Sequence, residues 1–213
     1  KTWEKTMKFT SKFVVALSAA ALMAGMASAE RYDMVTHGEG KDPLWPAVQE
    51  GGEDAARHIG ADFEYVYTPS ADMGDMAKSI AAAAATQPDG LVVSLPDPEA
   101  LGQAIKDAVA SGVPVITMNS GLESSAAVGA LMHVGQPEYL AGQSAGARAK
   151  AEGATNALCM MHEQYNTALN DRCNGYGENV PLASTVDTTS DPATITTRAA
   201  AALQANPDVD SVL

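Results

Sequence analysis

The sequence predicts an α/β fold with parallel sheets of the doubly wound kind, and three observations carry that expectation. Short apolar runs alternate with stretches of helical periodicity from Tyr32 to the end of the chain. Aspartate-proline pairs stand where the helical stretches begin, and glycines stand where several of them end. Strand, helix and strand in repetition with short connections call for parallel pairing and right-handed crossovers.

Taken in order, Tyr32–Thr36 is the first strand, and Asp42-Pro43 starts the helix behind it. The carboxylate suits an N-cap, and proline suits a first turn whose N–H has no partner to lose. Gly60 closes that helix, and Phe63–Tyr67 is the second strand. Met73, Met76, Ala77, Ile80, Ala81 and Ala84 then recur at helical spacing and predict one apolar face. Leu91–Leu95 follows as a strand, Asp97-Pro98 caps the next helix, and Leu101, Ile105, Ala108 and Val109 give its face. Ser111-Gly112 ends it before the fourth strand, Val113–Met118. The stretch from Asn119 to Gly129 is rich in Ser, Gly and Ala and has no helical face. Together with Gly135-Gln136-Pro137, just past a fifth strand at Leu131–Val134, it predicts a crossing between two lobes. Ala157–Met161, Leu182–Val186 and Val209–Leu213 complete the strands, with Asp191-Pro192 capping a helix before the last. The chain stops inside that last apolar run, which reads as a fragment of a longer protein.

Ahead of the first strand, Met7 to Ala29 reads as a secretory signal peptide. Lys8 and Lys12 give the positive start, Phe13 to Met26 is almost wholly apolar or small, and Ala27-Ser28-Ala29 is a cleavage pattern. The mature chain is expected to begin at Glu30, and Lys1 to Thr6 to lie upstream of the true start. The apolar stretch is too short and Ala-rich for a membrane span. Glu30 and not a cysteine stands directly after the cleavage site, so there is no lipoprotein attachment point and a soluble protein of the Gram-negative periplasm is expected.

The formal charge is −13, and removing residues 1–29 takes away four lysines and one glutamate, leaving −16. So acidic a chain argues against nucleic acid or anionic lipid as a partner and is silent about a neutral ligand. The two cysteines, Cys159 and Cys173, are compatible with a disulfide worth about 3 kcal/mol in an oxidising compartment. They are equally compatible with two unlinked residues, one on a buried strand and one on a helix. No metal site is expected, since His37, His58, His133 and His162 lack ligand spacing with each other or with the cysteines.

In an open parallel sheet the ligand lies beyond the carboxyl ends of the strands. Those ends are Thr36 to Trp45, Ser94 to Asp97, Asn119 to Gly121, Gln136, and His162 to Arg172. They are rich in hydrogen-bonding side chains, with one large apolar face at Trp45. That combination suits a sugar, whose ring face can lie on an indole while its hydroxyls meet Asp, Asn, Gln and Arg. Each residue also has a plainer reading. Trp45 fits as a core plug, Asp42 as an N-cap, Asn119 as a left-handed turn residue and Arg172 as half of a surface ion pair beside Asp171. Gln136 fits as a turn residue before Pro137, and Ser94 and His37 as partners for local backbone groups. Other chemistry is poorly supported. Gly38-Glu39-Gly40 lacks the phosphate-loop patterns, Glu39 and Asp42 would repel a phosphate, and no GxSxG elbow occurs. His162-Glu163 resembles an acid-base pair, but neighbours on a strand point to opposite faces.

Five segments in fixed order then carry a family resemblance: THGEGKDPLW (Thr36 to Trp45), QPDGLVVSLPDPEAL (Gln87 to Leu101), SGVPVITMNSG (Ser111 to Gly121), HVGQPEYLAGQSAG (His133 to Gly146) and ALNDRCNGYG (Ala168 to Gly177). With the signal peptide ahead of them, they resemble the periplasmic sugar-binding proteins of ABC importers, of the ribose-binding type. The resemblance implies two Rossmann-like lobes with parallel sheets, the type I periplasmic binding protein fold, the second lobe incomplete in this chain. It divides the chain into residues 1–29, an N-terminal lobe at 30–135 and a partial C-terminal lobe at 136–213. It implies a monomer without a cofactor that closes on one sugar or polyol and is read by a membrane permease, with a chemoreceptor as an optional second reader. Position by position, the first-lobe polar contact and aromatic clamp fall on Asp42 and Trp45, and later contacts on Ser94, Asn119, Gln136 and Arg172. Leu44 stands where ribose binders carry a second aromatic, and Asn119-Ser120 where they carry Asp-Arg. Ribose is therefore in question, and another pentose, a hexose, a polyol such as inositol or an autoinducer-type ligand stays open. Further contacts are expected beyond Leu213, so residues 30–213 alone are expected to bind weakly.

Two other classes compete. The effector domain of a LacI-like regulator shares such a fold, but needs a helix-turn-helix and no export signal. A periplasmic α/β enzyme needs a nucleophile with its base, or a metal cluster.

Overall fold

The computed structural model describes residues 29–38, 42–68 and 72–213. The signal segment up to Ser28, and Glu39 and Gly40 of the glycine-rich turn, lie outside the described residues. Among the described residues eight strands alternate with helices: β1 (Arg31–Thr36), α1 (Leu44–Ile59), β2 (Asp62–Tyr67), α2 (Met73–Ala85), β3 (Gly90–Ser94), α3 (Pro98–Ala110), β4 (Val115–Met118) and α4 (Leu122–Ser125). After a 3₁₀ turn at Ala126–Val128 come β5 (His133–Val134), α5 (Glu138–Ala151), β6 (Ala157–Met161), α6 (Thr167–Gly177), β7 (Leu182–Asp187), α7 (Pro192–Ala205) and β8 (Ser211–Val212).

The strands form two sheets, of order β2-β1-β3-β4-β5 and β7-β6-β8, and every pairing is parallel. β1 is an interior strand of the first, between β2 and β3, and β6 is the middle strand of the second, so the residues that follow them emerge inside each sheet, where loops from several strands converge.

The first sheet buries a core of Val35, Met76, Ile80, Leu91, Val93, Leu101, Ile105 and Val115, each at most 1% exposed. Each such side chain contributes roughly 1.5–3 kcal/mol of transfer free energy. Met76 and Ile80, four residues apart, confirm the helical face of α2, but that face turns toward Ala83, which is buried, while Ala81 is exposed. The expected fourth strand loses Val113 because Pro114, with no N–H, breaks the start of the ladder. The fifth shortens to two residues, although the Leu131 N–H still donates to the Val115 carbonyl at 2.8 Å. Asn119 to Gly129, expected to be irregular, holds α4 and the 3₁₀ turn. The stretch stays with the first sheet, because Val128 joins its core and Thr117 Oγ1 donates to Ser125 Oγ at 2.7 Å. The passage from one sheet to the other is thereby confined to the residues between β5 and α5.

Aspartate side chains bind N–H groups at the starts of three helices, as the N-cap residue in α3 and α7 and from one residue ahead of the N-cap Pro43 in α1. Asp42 Oδ1 accepts from Leu44 N at 2.9 Å, Asp97 Oδ1 from Glu99 and Ala100 N at 3.0 Å, and Asp191 Oδ2 from Thr194 N at 2.9 Å. Gly60 closes α1 at φ +73°, a left-handed conformation that glycine adopts without strain.

In the second lobe α5 and α6 touch backbone to backbone. A Cβ at Gly142 would collide with the Arg172 carbonyl, and one at Gly175 with the Tyr139 carbonyl. Cys159 on β6 and Cys173 on α6 are both buried and are joined by a disulfide, with Cα atoms 5.8 Å apart. No described helix is long and apolar enough to cross a membrane.

Candidate functional site

The carboxyl ends of the two sheets face one cavity of about 160 Å³. That is well below the roughly 300–1,000 Å³ of pockets for drug-sized ligands, so the guest it fits is small. Its first-sheet wall is His37, Asp42, Leu44, Trp45, Asn119 and Ser120. Its second-sheet wall is Glu138, His162, Glu163, Asn166, Ala168, Leu169 and Arg172.

Local structure explains why these side chains meet. His37 is the first residue past β1, Asn119 the first past β4, and His162 and Glu163 the first two past β6. Asn119 sits at φ +62°, a left-handed turn that Asn tolerates. Asp42 and Trp45 come from the start of α1, and Asn166 caps α6 by accepting from Ala168 N at 3.1 Å. The close α5–α6 packing brings Arg172 Nε to 2.6 Å from Glu138 Oε2, on the first turn of α5.

Of the residues singled out from sequence, His37, Asp42, Trp45, Asn119 and Arg172 line the cavity. Ser94 is fully buried and lies behind the wall, where its Oγ accepts from His37 N at 2.9 Å and sits 2.7 Å from Nδ1. Gln136 is exposed and off the cavity, its amide donating to Glu138 Oε2 at 3.0 Å. Trp45 is 4% exposed and packs edge to face on His37, with ring centroids 4.9 Å apart, so one indole both plugs the core and walls the cavity. Sequence reasoning passed over Glu163. Alternation along a strand stops applying once β6 ends at Met161, and a bend brings both His162 and Glu163 to the cavity. Asn166 carried a missed signal, an N-cap residue ahead of a helix.

The buried polar groups form a chain across the two sheets. Ser94 Oγ sits against His37 N and Nδ1, which leaves the other ring nitrogen, Nε2, facing Glu163. That Nε2 lies 3.4 Å from Glu163 Oε2, and Asn166 Nδ2 donates to the same oxygen at 2.7 Å. Burial by itself would raise the carboxyl pKa. The hydrogen bond and charge of His37, the Asn166 amide and the charge of His162 outweigh it and lower the pKa to about 2. A second bond ties the sheets together, from Thr167 N to the Pro96 carbonyl at 2.9 Å. Ser94, His37 and Glu163 have the residue types of a hydrolytic triad, but the serine is 0% exposed. What the wall does offer is a mixture of donors and acceptors around an aromatic edge, which is the equipment for holding hydroxyl groups.

Comparisons with known proteins agree with that equipment. Residues 34–213 match the family described as periplasmic binding protein domain. No curated protein sequence matches the chain significantly. A carbohydrate transporter from Acidothermus cellulolyticus 11B, solved in complex with myo-inositol, is 36% identical with a TM-score of 0.81. The match covers 87% of this chain and 65% of that one, so the chain spans just under two thirds of its relative's length. A periplasmic sugar binding protein of an ABC sugar transporter from Legionella pneumophila is 22% identical, at TM-score 0.77, over 86% of this chain and 69% of that one. An ABC transporter solute binding protein from Burkholderia graminis C4D1M, in complex with D-arabinose, is 21% identical, at TM-score 0.77, over 88% and 66%. The last two likenesses are of fold alone.

Proposed function

We propose, from the premise that this chain belongs to the periplasmic binding protein domain family, that it is a solute-binding protein for a monosaccharide or related polyol. It captures the ligand between two lobes, residues 30–135 and 136–213, and delivers it unchanged to the permease of an ABC transporter. The observation that carries this reading is the small cavity walled by strand ends of both sheets, with buried polar side chains on each side. A ligand that touches both walls binds the closed form better than an open one, and that difference is what a permease can read.

His37, Asp42, Trp45, Asn119, Glu163 and Arg172 are the contacts this reading assigns. Ser94 positions His37, and Gln136 braces Glu138 near the passage between the lobes. The 36% identity to a structure holding myo-inositol supports a cyclitol as the first ligand to try. The protein acts without catalysis or cofactor, as a monomer exported to the Gram-negative periplasm by the segment Met7 to Ala29. A chemoreceptor is a second reader of the closed form.

The test is a ligand-dependent thermal shift on the full-length mature protein with myo-inositol, D-arabinose, D-glucose and D-galactose. A ligand bound only by the folded state raises the melting temperature by mass action. A saturable shift with one of them and no chemical change in the ligand is the expected result. No shift with any polyol, or turnover of one, overturns the reading.

A further inference from the structure

The geometry points to Glu163 as a charge selector: among polyols of one shape, the cavity prefers an amine-bearing member, accepts the neutral one and excludes the carboxylate-bearing one. The inference rests on the polyol-binding reading above and narrows its substrate class.

Glu163 is 6% exposed, yet it lines the cavity. Its contacts with His37 Nε2, Asn166 Nδ2 and His162 Nε2 all fall on Oε2, at 3.4, 2.7 and 3.9 Å. Oε1 takes no hydrogen bond among the described residues, so a buried carboxylate presents one unspent acceptor to the guest. The carboxyl is held ionised well below neutral pH. An ionised carboxylate accepts and never donates, so whatever lies beside it must bring the hydrogen. A hydroxyl brings one and an ammonium three, the latter with a favourable charge. A ligand carboxylate brings none and sets like charge against like.

The remaining wall does not reverse this. Among the described residues Arg172 is the permanent cation of the lining, and Glu138 already engages it at 2.6 Å. Asp42 adds a third carboxylate, with Oδ1 committed to Leu44 N. The two histidines make their closest approach to Oε2, the oxygen the ligand does not need. At longer range the acidic surplus of the chain, −13 with residues 1–29 and −16 without them, repels anions before they arrive.

The experiment is calorimetric titration of the full-length mature protein with two isosteric sets: myo-inositol with an aminodeoxy-inositol, and D-glucose with D-glucosamine and D-glucuronate. In the set that binds, the amine is expected to bind about tenfold tighter than the neutral member and the acid at least about a hundredfold weaker. Glu163→Gln, which keeps the shape and loses the charge, compresses the series to within about threefold, whereas Glu163→Asp retains the order. Melting temperatures of both variants check that each is folded. An acid that binds as well as the neutral member, or an order unchanged in Glu163→Gln, overturns the charge selector and leaves polyol binding intact. Binding of no member of either set overturns polyol binding itself, and the charge selector with it.

Discussion

His37 Nε2 lies 3.4 Å from Glu163 Oε2, and the two side chains reach each other from different sheets. Both are nearly fully buried, and Ser94 orients the imidazole from behind. The pair therefore belongs to both halves of the cavity wall, and its energetics bear on stability as well as binding.

The Glu163 carboxyl has a folded pKa of about 2, below its ordinary 4.5. A depressed acid contributes stability that is fully present above the unfolded value and is lost as pH falls through the folded one. Between pH 5 and pH 2 the protein is expected to lose on the order of 3 kcal/mol through this one group. Urea melts across that range check it, and Glu163→Gln should show a correspondingly flatter profile. An identical pH dependence in parent and variant contradicts the assignment.

Trp45→Ala removes a side chain that is 4% exposed, and is expected to cost about 3–5 kcal/mol. It also removes the aromatic wall and should abolish the ligand-dependent thermal shift. Trp45→Phe, which keeps a ring, is expected to recover most of the stability, and comparing the two shifts separates packing from ligand contact.

Arg172 is 39% exposed in its side chain and pairs with Glu138. Arg172→Ala is expected to change stability without ligand by less than about 1 kcal/mol. It should nevertheless eliminate the shift with ligand. A variant that responds to ligand as the parent does removes Arg172 from the site.

Gly175→Ala places a methyl group against the Tyr139 carbonyl on α5. The helices must separate, at a cost of about 1–3 kcal/mol. Because Arg172 and Glu138 stand across that same contact, affinity is expected to fall together with the melting temperature.

Reduction of the Cys159–Cys173 bridge, or Cys159→Ser with Cys173→Ser, is expected to lower stability by about 3 kcal/mol. Melts with and without reductant measure it. The bridge ties α6 to β6, so the same treatment should also weaken binding through Asn166 and Arg172.

Much of the wall was legible because it follows strand ends, and strand ends follow from local pattern. His37, Asn119 and the first turn of α1 could be placed by counting from apolar runs and Asp-Pro pairs. Glu163 could not, because the rule of alternation was applied one residue past the strand that obeys it. Gln136 was placed at the cavity from its position in the chain, but its side chain turns to Glu138 instead.

Sequence alone determined the order of the strands, the aspartate caps of α3 and α7 and the parallel character of the sheets. Each of those depends on interactions between residues a few positions apart, whose geometry the backbone periods dictate. Only the tertiary structure decided that Cys159 meets Cys173, that Ser94 stands behind His37 rather than in the cavity, and that Glu163 completes the wall from the other sheet. Those outcomes depend on how two sheets and the α5–α6 pair pack, where a few ångströms separate contact from none and no local pattern records the distance.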